Sequence, residues 1–166
     1  GVVALGADGQ ATLGETVAKS HVRKVRRLHN DDILAAFAGS TADSFALVER
    51  FEEKLSQYGG VMKRAAIELA KDWRMERSLR QLNAMMIVMN QEEGLLLTGV
   101  GDVLEPENGI LAIGSGGNYA LAAALALRRH QPELSPEDIV REGLTVASEL
   151  CIYTNANFTI ETLPGR

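Results

Sequence analysis

Four short stretches of the chain hold residue types from which a chemical site could be built. Asp8 follows an apolar run and lies in a glycine-rich turn, and Lys24 lies in the basic run 23–27 (RKVRR). Residues 37–41 (FAGST) and 114–117 (GSGG) place glycines after apolar stretches, where backbone amides can face an anion or an oxyanion. Each stretch also has a simpler interpretation: a turn carboxylate, a solvated strand edge or a tight strand-to-helix turn.

Familiar catalytic and metal-binding motifs do not explain these stretches. Ser115 lacks the first glycine of a G-x-S-x-G nucleophile motif, and residues 114–119 lack the last glycine of a dinucleotide-binding fingerprint. The three histidines show no metal-ligand spacing. Cys151 has no cysteine or histidine partner nearby in the sequence, and we predict that it is a small core residue.

Composition and charge restrict the class of protein. The 166 residues are 46% hydrophobic and 23% charged, which is typical of a globular domain. The net charge of −5 disfavours a nucleic-acid partner, although binding through the basic run 23–27 is a weaker alternative. Apolar runs such as 119–127 are shorter than the roughly 18–20 residues of a membrane span. A single cysteine favours a reducing compartment, so we expect a cytoplasmic protein with no membrane partner.

The elements that must position these residues come in groups. The predicted strands cover residues 2–7, 33–37, 84–89, 95–98, 110–113 and 158–163, and a further strand runs into a turn within residues 21–32. Helices are predicted to start near 40, 62, 119 and 135. Helices that arrive in pairs disfavour a parallel βαβ fold. We therefore predict one α+β domain over residues 1–166, a four-layer αββα sandwich with two sheets between two helix layers.

Six motifs occur in the order and spacing of one known family: GADGQATLG, RKVRRL, FAGSTADSF, ELAKDWR, AIGSGGNYA and CIYTN. The chain closely resembles the HslV (ClpQ) family, the proteasome-like peptidase subunits of a bacterial ATP-dependent protease. The resemblance implies an N-terminal-nucleophile hydrolase with the αββα sandwich. It also implies a homo-oligomer of two stacked hexameric rings, and a partner, the AAA+ ATPase HslU (ClpY), that feeds unfolded polypeptides into the ring chamber.

The same resemblance implies a mechanism and assigns residues to it. The nucleophile would be an N-terminal threonine whose own α-amine acts as general base, because the pKa of an α-amine, about 7.7–8.0, lies near neutrality. Lys24 would lower the pKa of the threonine hydroxyl, Asp8 would orient Lys24, and the Gly39 amide would stabilise the oxyanion. The threonine is expected about nine residues before Gly1 on a first strand, so the given chain is expected to be inactive alone.

Further site residues come with the resemblance. Ser115 would lie close to the threonine amine and relay a proton or hydrogen-bond to it. Thr12 and Ser40 would contact the substrate. A structural sodium ion would bind the backbone carbonyls of Ser148, Cys151 and Thr154, at a helix end where carbonyls lack partners within the helix.

One alternative does not involve catalysis. A subunit that forms rings as a scaffold would share the fold and the assembly. A scaffold subunit does not require Asp8, Lys24, Gly39 and Ser115 together. The presence of all four therefore favours the peptidase.

Overall fold

The structure, a computed structural model, describes residues 1–13, 16–80 and 84–165, and in them nine strands and five helices. The strands are β1 (Val3–Ala7), β2 (Ala11–Leu13), β3 (Thr16–Lys19), β4 (Val25–Leu28), β5 (Ile33–Gly39), β6 (Ala84–Met89), β7 (Gly94–Leu97), β8 (Val103–Leu104) and β9 (Thr159–Leu163). The helices are α1 (Thr41–Gln57), α2 (Met62–Met75), α3 (Arg77–Arg80), α4 (Gly117–His130) and α5 (Pro136–Leu150).

Strand β5 is buried on both faces and separates two hydrophobic cores. It lies in an antiparallel sheet of order β4-β5-β6-β7-β8. Ile33, Ala35 and Phe37 point into one core, whereas Leu34 and Ala36 point into the other. This alternation follows from the period of two along a strand, and it explains why the sequence of β5 is apolar throughout.

The first core lies between this sheet and the helices α1 and α2. Apolar residues recur on both helices at three- and four-residue spacing and turn one stripe of each helix towards the sheet. The buried residues of this stripe include Leu47, Val48, Phe51, Leu55, Met62, Ala66, Leu69 and Trp73. One helix pair therefore covers one face of the five-stranded sheet.

The second core lies between this sheet and a two-stranded sheet in which β1 pairs with β9 in antiparallel register. Leu5 and Leu163 from this small sheet pack against Val25 and Leu34. Helix α5 packs against the other face of β1, and α4 packs against α5. The layers are thus helices, sheet, sheet and helices, as predicted.

One sequence-based expectation about the strands was wrong. Residues 110–113 form no strand within the described residues; instead, Leu111 and Ile113 pack against the second core. An apolar stretch reports burial, and burial does not require pairing in a sheet. Phe45 of α1 is 43% exposed, and its ring packs against Phe37 and the guanidinium of Arg26.

Ion pairs join α1 to α2 beside their shared core. The ammonium of Lys54 lies 2.8 Å from the Asp72 carboxylate, and Arg50 lies 3.1 Å from Glu76. The hydrogen bond to Asp72 raises the pKa of Lys54 above its ordinary value of 10.5. Across the described residues, no helix is long and apolar enough to cross a membrane.

We expect Phe51→Ala to lower the free energy of unfolding by about 3–5 kcal/mol, because it leaves a cavity in the first core. Phe45→Ala is the matched control and should cost less than about half as much, since the Phe45 ring is partly in solvent. Urea denaturation followed by the fluorescence of the single tryptophan, Trp73, measures both values. Equal losses for the two variants would contradict the layer assignment.

We expect the stabilisation by the Lys54–Asp72 pair to disappear at strongly alkaline pH. A pKa raised by folding gives stability that is fully present below about 10.5 and is lost as the pH rises through the higher folded value. Lys54→Met should therefore lower the urea midpoint at pH 8, and the difference from the wild type should shrink above pH 11. A difference in urea midpoint between Lys54→Met and the wild type that grows with pH would contradict this prediction.

Candidate active site

The centre of the candidate site is an ion pair between Asp8 and Lys24. Asp8 directly follows β1, and Lys24 directly precedes β4. The Lys24 Nζ donates to Asp8 Oδ1 at 2.9 Å, and the two side chains are only 21% and 12% exposed. The backbone N–H groups of Gln10 and Asn155 donate to Asp8 Oδ2 at 3.0 and 3.2 Å. Three donors therefore fix the carboxylate, which in turn orients the ammonium group.

Gly39 forms the junction between the buried strand β5 and helix α1. Its φ of +109° lies in the region that favours glycine, because other residues meet a steric clash there. The next residue, Ser40, caps α1 by accepting a hydrogen bond from the N–H of Asp43 at 3.5 Å. The chain therefore changes direction at Gly39, where a strand ends and the positive end of a helix dipole begins.

The second glycine turn, residues 114–117, lies beside the first. A Cβ atom added at Gly114 would lie 3.3 Å from the Cβ of Ala38, the residue before Gly39. A Cβ atom added at Gly116 would lie 2.8 Å from Cγ2 of Thr154. The turn that carries Ser115 is therefore held between the end of β5 and the loop that follows α5.

These residues share one cavity. A cavity of about 800 Å³ is lined by six of the predicted site residues: Asp8, Lys24, Gly39, Ser40, Ser115 and Thr154. Its remaining wall is largely apolar and comes from β1, residues 110–113 and the facing sides of α4 and α5. The fold thus brings a fixed ammonium group, a glycine junction and a hydroxyl to one cleft with room for a peptide side chain.

For Thr12, a predicted substrate contact, the structure describes the backbone alone. Its backbone lies in β2, opposite Val17 of β3. Its side chain falls outside what the structure describes. A contact between Thr12 and substrate stays a prediction.

One of the three carbonyls predicted to hold sodium, that of Cys151, accepts hydrogen bonds from Thr154. The Thr154 hydroxyl donates to the carbonyls of Ala147 and Cys151 at 2.9 and 3.0 Å, and the Thr154 N–H also donates to Cys151. The single hydrogen of the Thr154 hydroxyl is shared between these two carbonyls, and the sodium site stays a prediction. Ser148 lies one turn earlier in α5. Cys151 itself is a buried free thiol, as predicted for a core residue.

Other ligands are not suggested by the described part of the chain. In residues 1–13, 16–80 and 84–165, no group of three or more histidine, cysteine or carboxylate side chains could hold a metal ion. The basic run is partly engaged with the protein itself: Arg27 lies 2.8 Å from Glu161, and Arg26 covers the Phe45 ring at 4.5 Å. These contacts weaken the nucleic-acid interpretation.

Sequence reasoning assigned no role to two residues that hold the site together. Asn155 bonds to the Asp8 turn, and the Gln10 side chain, 7% exposed, donates to the carbonyl of Ile152 at 3.0 Å. Both residues lie inside motifs that carry the resemblance, GADGQATLG and CIYTN. The sequence signal that could have found these two residues is that each is polar and lies within one of these motifs.

Comparison with known proteins identifies the family. The family model described as proteasome subunit matches residues 1–163. The ATP-dependent protease subunit HslV of Cytophaga hutchinsonii is 62% identical over 162 residues, 98% of this chain and 90% of that protein. The HslV subunit of Amoebophilus asiaticus is 60% identical over 97% of this chain and 90% of its own length. The chain belongs to the HslV family of proteasome subunits.

Solved structures agree with this assignment. HslV from Trypanosoma brucei superposes with a TM-score of 0.91 at 44% identity, over 97% of this chain and 92% of that one. Thiobacillus denitrificans BPH shares only the fold, with a TM-score of 0.73 at 21% identity over 98% of this chain and 92% of that one. The predicted family and the proteasome-like αββα fold are confirmed, and the protein is a protease subunit of the proteasome type.

We expect Gly9→Ala to disturb the site through the Asp8 turn. An added Cβ would lie 2.7 Å from the Ser20 carbonyl oxygen, so the two backbone segments would have to separate. The free energy of unfolding should fall by about 1–3 kcal/mol. Gly94→Ala is the control, because its Cβ would meet its nearest neighbour at an ordinary 3.6 Å. Thermal unfolding of the two variants measures the difference, and an unchanged Gly9→Ala midpoint would refute the close approach.

Proposed function

We propose that the protein is an N-terminal threonine endopeptidase that cleaves unfolded polypeptides. The observation that carries this proposal is the Lys24–Asp8 ion pair at the wall of a cavity that Gly39 and Ser115 also line. The nucleophile would be the hydroxyl of a threonine that precedes residue 1 in the processed protein, as the resemblance implies. A polypeptide that begins at Gly1 should therefore not hydrolyse peptides.

Lys24 would activate the nucleophile electrostatically. Its ammonium group, held by Asp8, would stabilise the alkoxide that forms as the threonine hydroxyl loses its proton. The same positive charge would favour the neutral form of the threonine α-amine, which can then accept that proton as general base. Hydroxyl and base belong to one residue, so little orientational entropy remains to be lost.

Gly39 would supply the oxyanion hole. Attack on the scissile carbonyl places negative charge on its oxygen, and a backbone N–H at the start of α1 stabilises such a charge. Loss of one donor of this kind costs about 2.7–4 kcal/mol of transition-state stabilisation in other hydrolases. Ser115, from the adjacent glycine turn, would hydrogen-bond to the α-amine and pass its proton to the leaving group.

The substrate would bind as an extended chain along the cleft. Thr12 and Ser40 are the proposed contacts to its backbone, and the apolar part of the cavity would receive side chains. Ser40 caps α1 with its hydroxyl, so its contribution to substrate binding is expected to come from backbone groups.

The assembly and its setting are proposed from the family. The subunits would form two stacked hexameric rings that enclose the active sites in a chamber. The AAA+ ATPase HslU would use ATP to unfold proteins and feed them into this chamber in the cytoplasm. A sodium ion at the carbonyls of Ser148, Cys151 and Thr154 is likewise proposed from the family.

The test is the replacement of Lys24 in the full-length processed protein. Lys24→Ala should reduce hydrolysis of a fluorogenic peptide amide at least about 100-fold, because activation of nucleophile and base is lost together. Lys63→Ala is the matched control: Lys63 also pairs with a carboxylate, Glu105 at 2.7 Å, but both side chains are more than half exposed. Lys63→Ala should keep full activity.

Two further measurements separate the peptidase from a scaffold. Size-exclusion chromatography should show the same assembly for Lys24→Ala and the wild type. N-terminal analysis of the processed protein should find threonine at position one. Turnover by Lys24→Ala close to that of the wild type, or hydrolysis by a chain that begins at Gly1, would overturn the proposal.

A further inference from the structure

The side chain of Asn155 joins three segments of the chain around Asp8. Its Oδ1 accepts a hydrogen bond from the N–H of Gly9 at 3.1 Å, and its Nδ2 donates to the carbonyl of Ser20 at 2.9 Å. Its own backbone N–H donates to Asp8 Oδ2 at 3.2 Å. One half-buried residue in the loop after α5 therefore contacts the turn after β1 and the segment that leads from β3 towards Lys24.

The amide side chain of Asn155 matches these partners, and its Oδ1 also accepts the N–H of Asn157 at 3.1 Å. The Gly9 N–H is a donor and requires an oxygen, whereas the Ser20 carbonyl is an acceptor and requires an N–H group. The short planar amide of asparagine offers both on neighbouring atoms. An aspartate in this place would turn a second oxygen towards the Ser20 carbonyl and add a negative charge beside Asp8, so charge and geometry both select the amide.

We infer that Asn155 is a positioning residue that acts through Asp8 on the orientation of Lys24. This inference rests on the proposed function, because it concerns the group that activates the nucleophile. The two oxygens of the Asp8 carboxylate have separate tasks. Oδ2 receives the N–H groups of Gln10 and Asn155, which leaves Oδ1 aimed at the Lys24 ammonium group.

The side chain of Asn155 sets where its backbone N–H lies. Loss of the amide removes the bonds of Asn155 to Gly9 and Ser20, so the N–H of residue 155 is held less firmly at Asp8 Oδ2. The carboxylate can then rotate, and the ammonium group moves with it. A displacement of about 1 Å between reacting groups can cost on the order of 100-fold in rate.

A neighbouring residue provides a matched control. The Nδ2 of Asn157 also donates to the Ser20 carbonyl, at 2.8 Å. The Asn157 side chain bonds to Ser20 rather than to Asp8 or Gly9, and the residue is exposed. Asn157→Ala therefore removes one hydrogen bond to the same carbonyl and keeps the contacts between residue 155 and the Asp8 turn.

The experiment compares Asn155→Ala and Asn157→Ala in the processed full-length protein with a fluorogenic peptide amide. We expect Asn155→Ala to lower kcat about 10- to 100-fold with KM within about threefold of the wild type, since substrate contacts are unchanged. Asn157→Ala should keep kcat within about twofold. Asn155→Asp, which keeps the acceptor for the Gly9 N–H, is the second variant in case Asn155→Ala does not fold, and it should also lower kcat.

A double-mutant cycle distinguishes positioning from a general loss of structure. If Asn155 acts through Asp8, then Asn155→Ala should change kcat little in an Asp8→Asn background, although it changes kcat strongly in the wild type. A merely structural role would lower kcat by the same factor in both backgrounds. Equal factors would overturn the inference, as would a wild-type kcat in folded Asn155→Ala or Asn155→Asp.

Different experimental outcomes would overturn this inference and the proposed function. Full activity of Lys24→Ala removes the proposed mechanism and the role of Asn155 with it. An inactive Lys24→Ala combined with a fully active Asn155→Ala leaves the mechanism standing and removes only the positioning role.

Discussion

The burial of β5 on both faces is the constraint on which the rest of the architecture depends. One set of its side chains needs a helix layer and the other needs a second sheet, so the strand can exist only between two cores. The same strand ends at Gly39, where apolar burial stops and α1 begins. Its register with β4 sets where that neighbouring strand begins, one residue after Lys24. The layers of the fold and the position of the candidate site therefore have one cause.

The Asp8–Lys24 pair is stable in a partly desolvated place because it is surrounded by fixed donors. Removing charges from water is costly, and a pair repays that cost only when good geometry and further hydrogen bonds satisfy both groups. Here two backbone N–H groups donate hydrogen bonds to the second oxygen of the Asp8 carboxylate, and the loop after α5 supplies one of them. Such a rigid arrangement costs no reorganisation during a reaction, which is the property an electrostatic catalyst requires.

Much of the fold could be predicted from local pattern. The caps Ser40 and Ser135, the apolar stripes of α1 and α2, and the pairing of helices in sequence all depend on residues a few positions apart. The pattern misassigned residues 110–113. An apolar stretch can pack against a core without pairing in a sheet, as Leu111 and Ile113 do.

The sequence by itself determined the family, the order of the layers and the identity of Asp8, Lys24, Gly39 and Ser115 as residues to consider. Tertiary structure alone decided that Asn155 meets Asp8 across 147 positions of the chain, and that the Gln10 side chain meets the Ile152 carbonyl across 142 positions. The physical reason is the range of the forces involved. Helix caps, turns and periodic burial act between neighbours in sequence, whereas the partner of a polar group in a distant loop is chosen only when packed layers bring the two together.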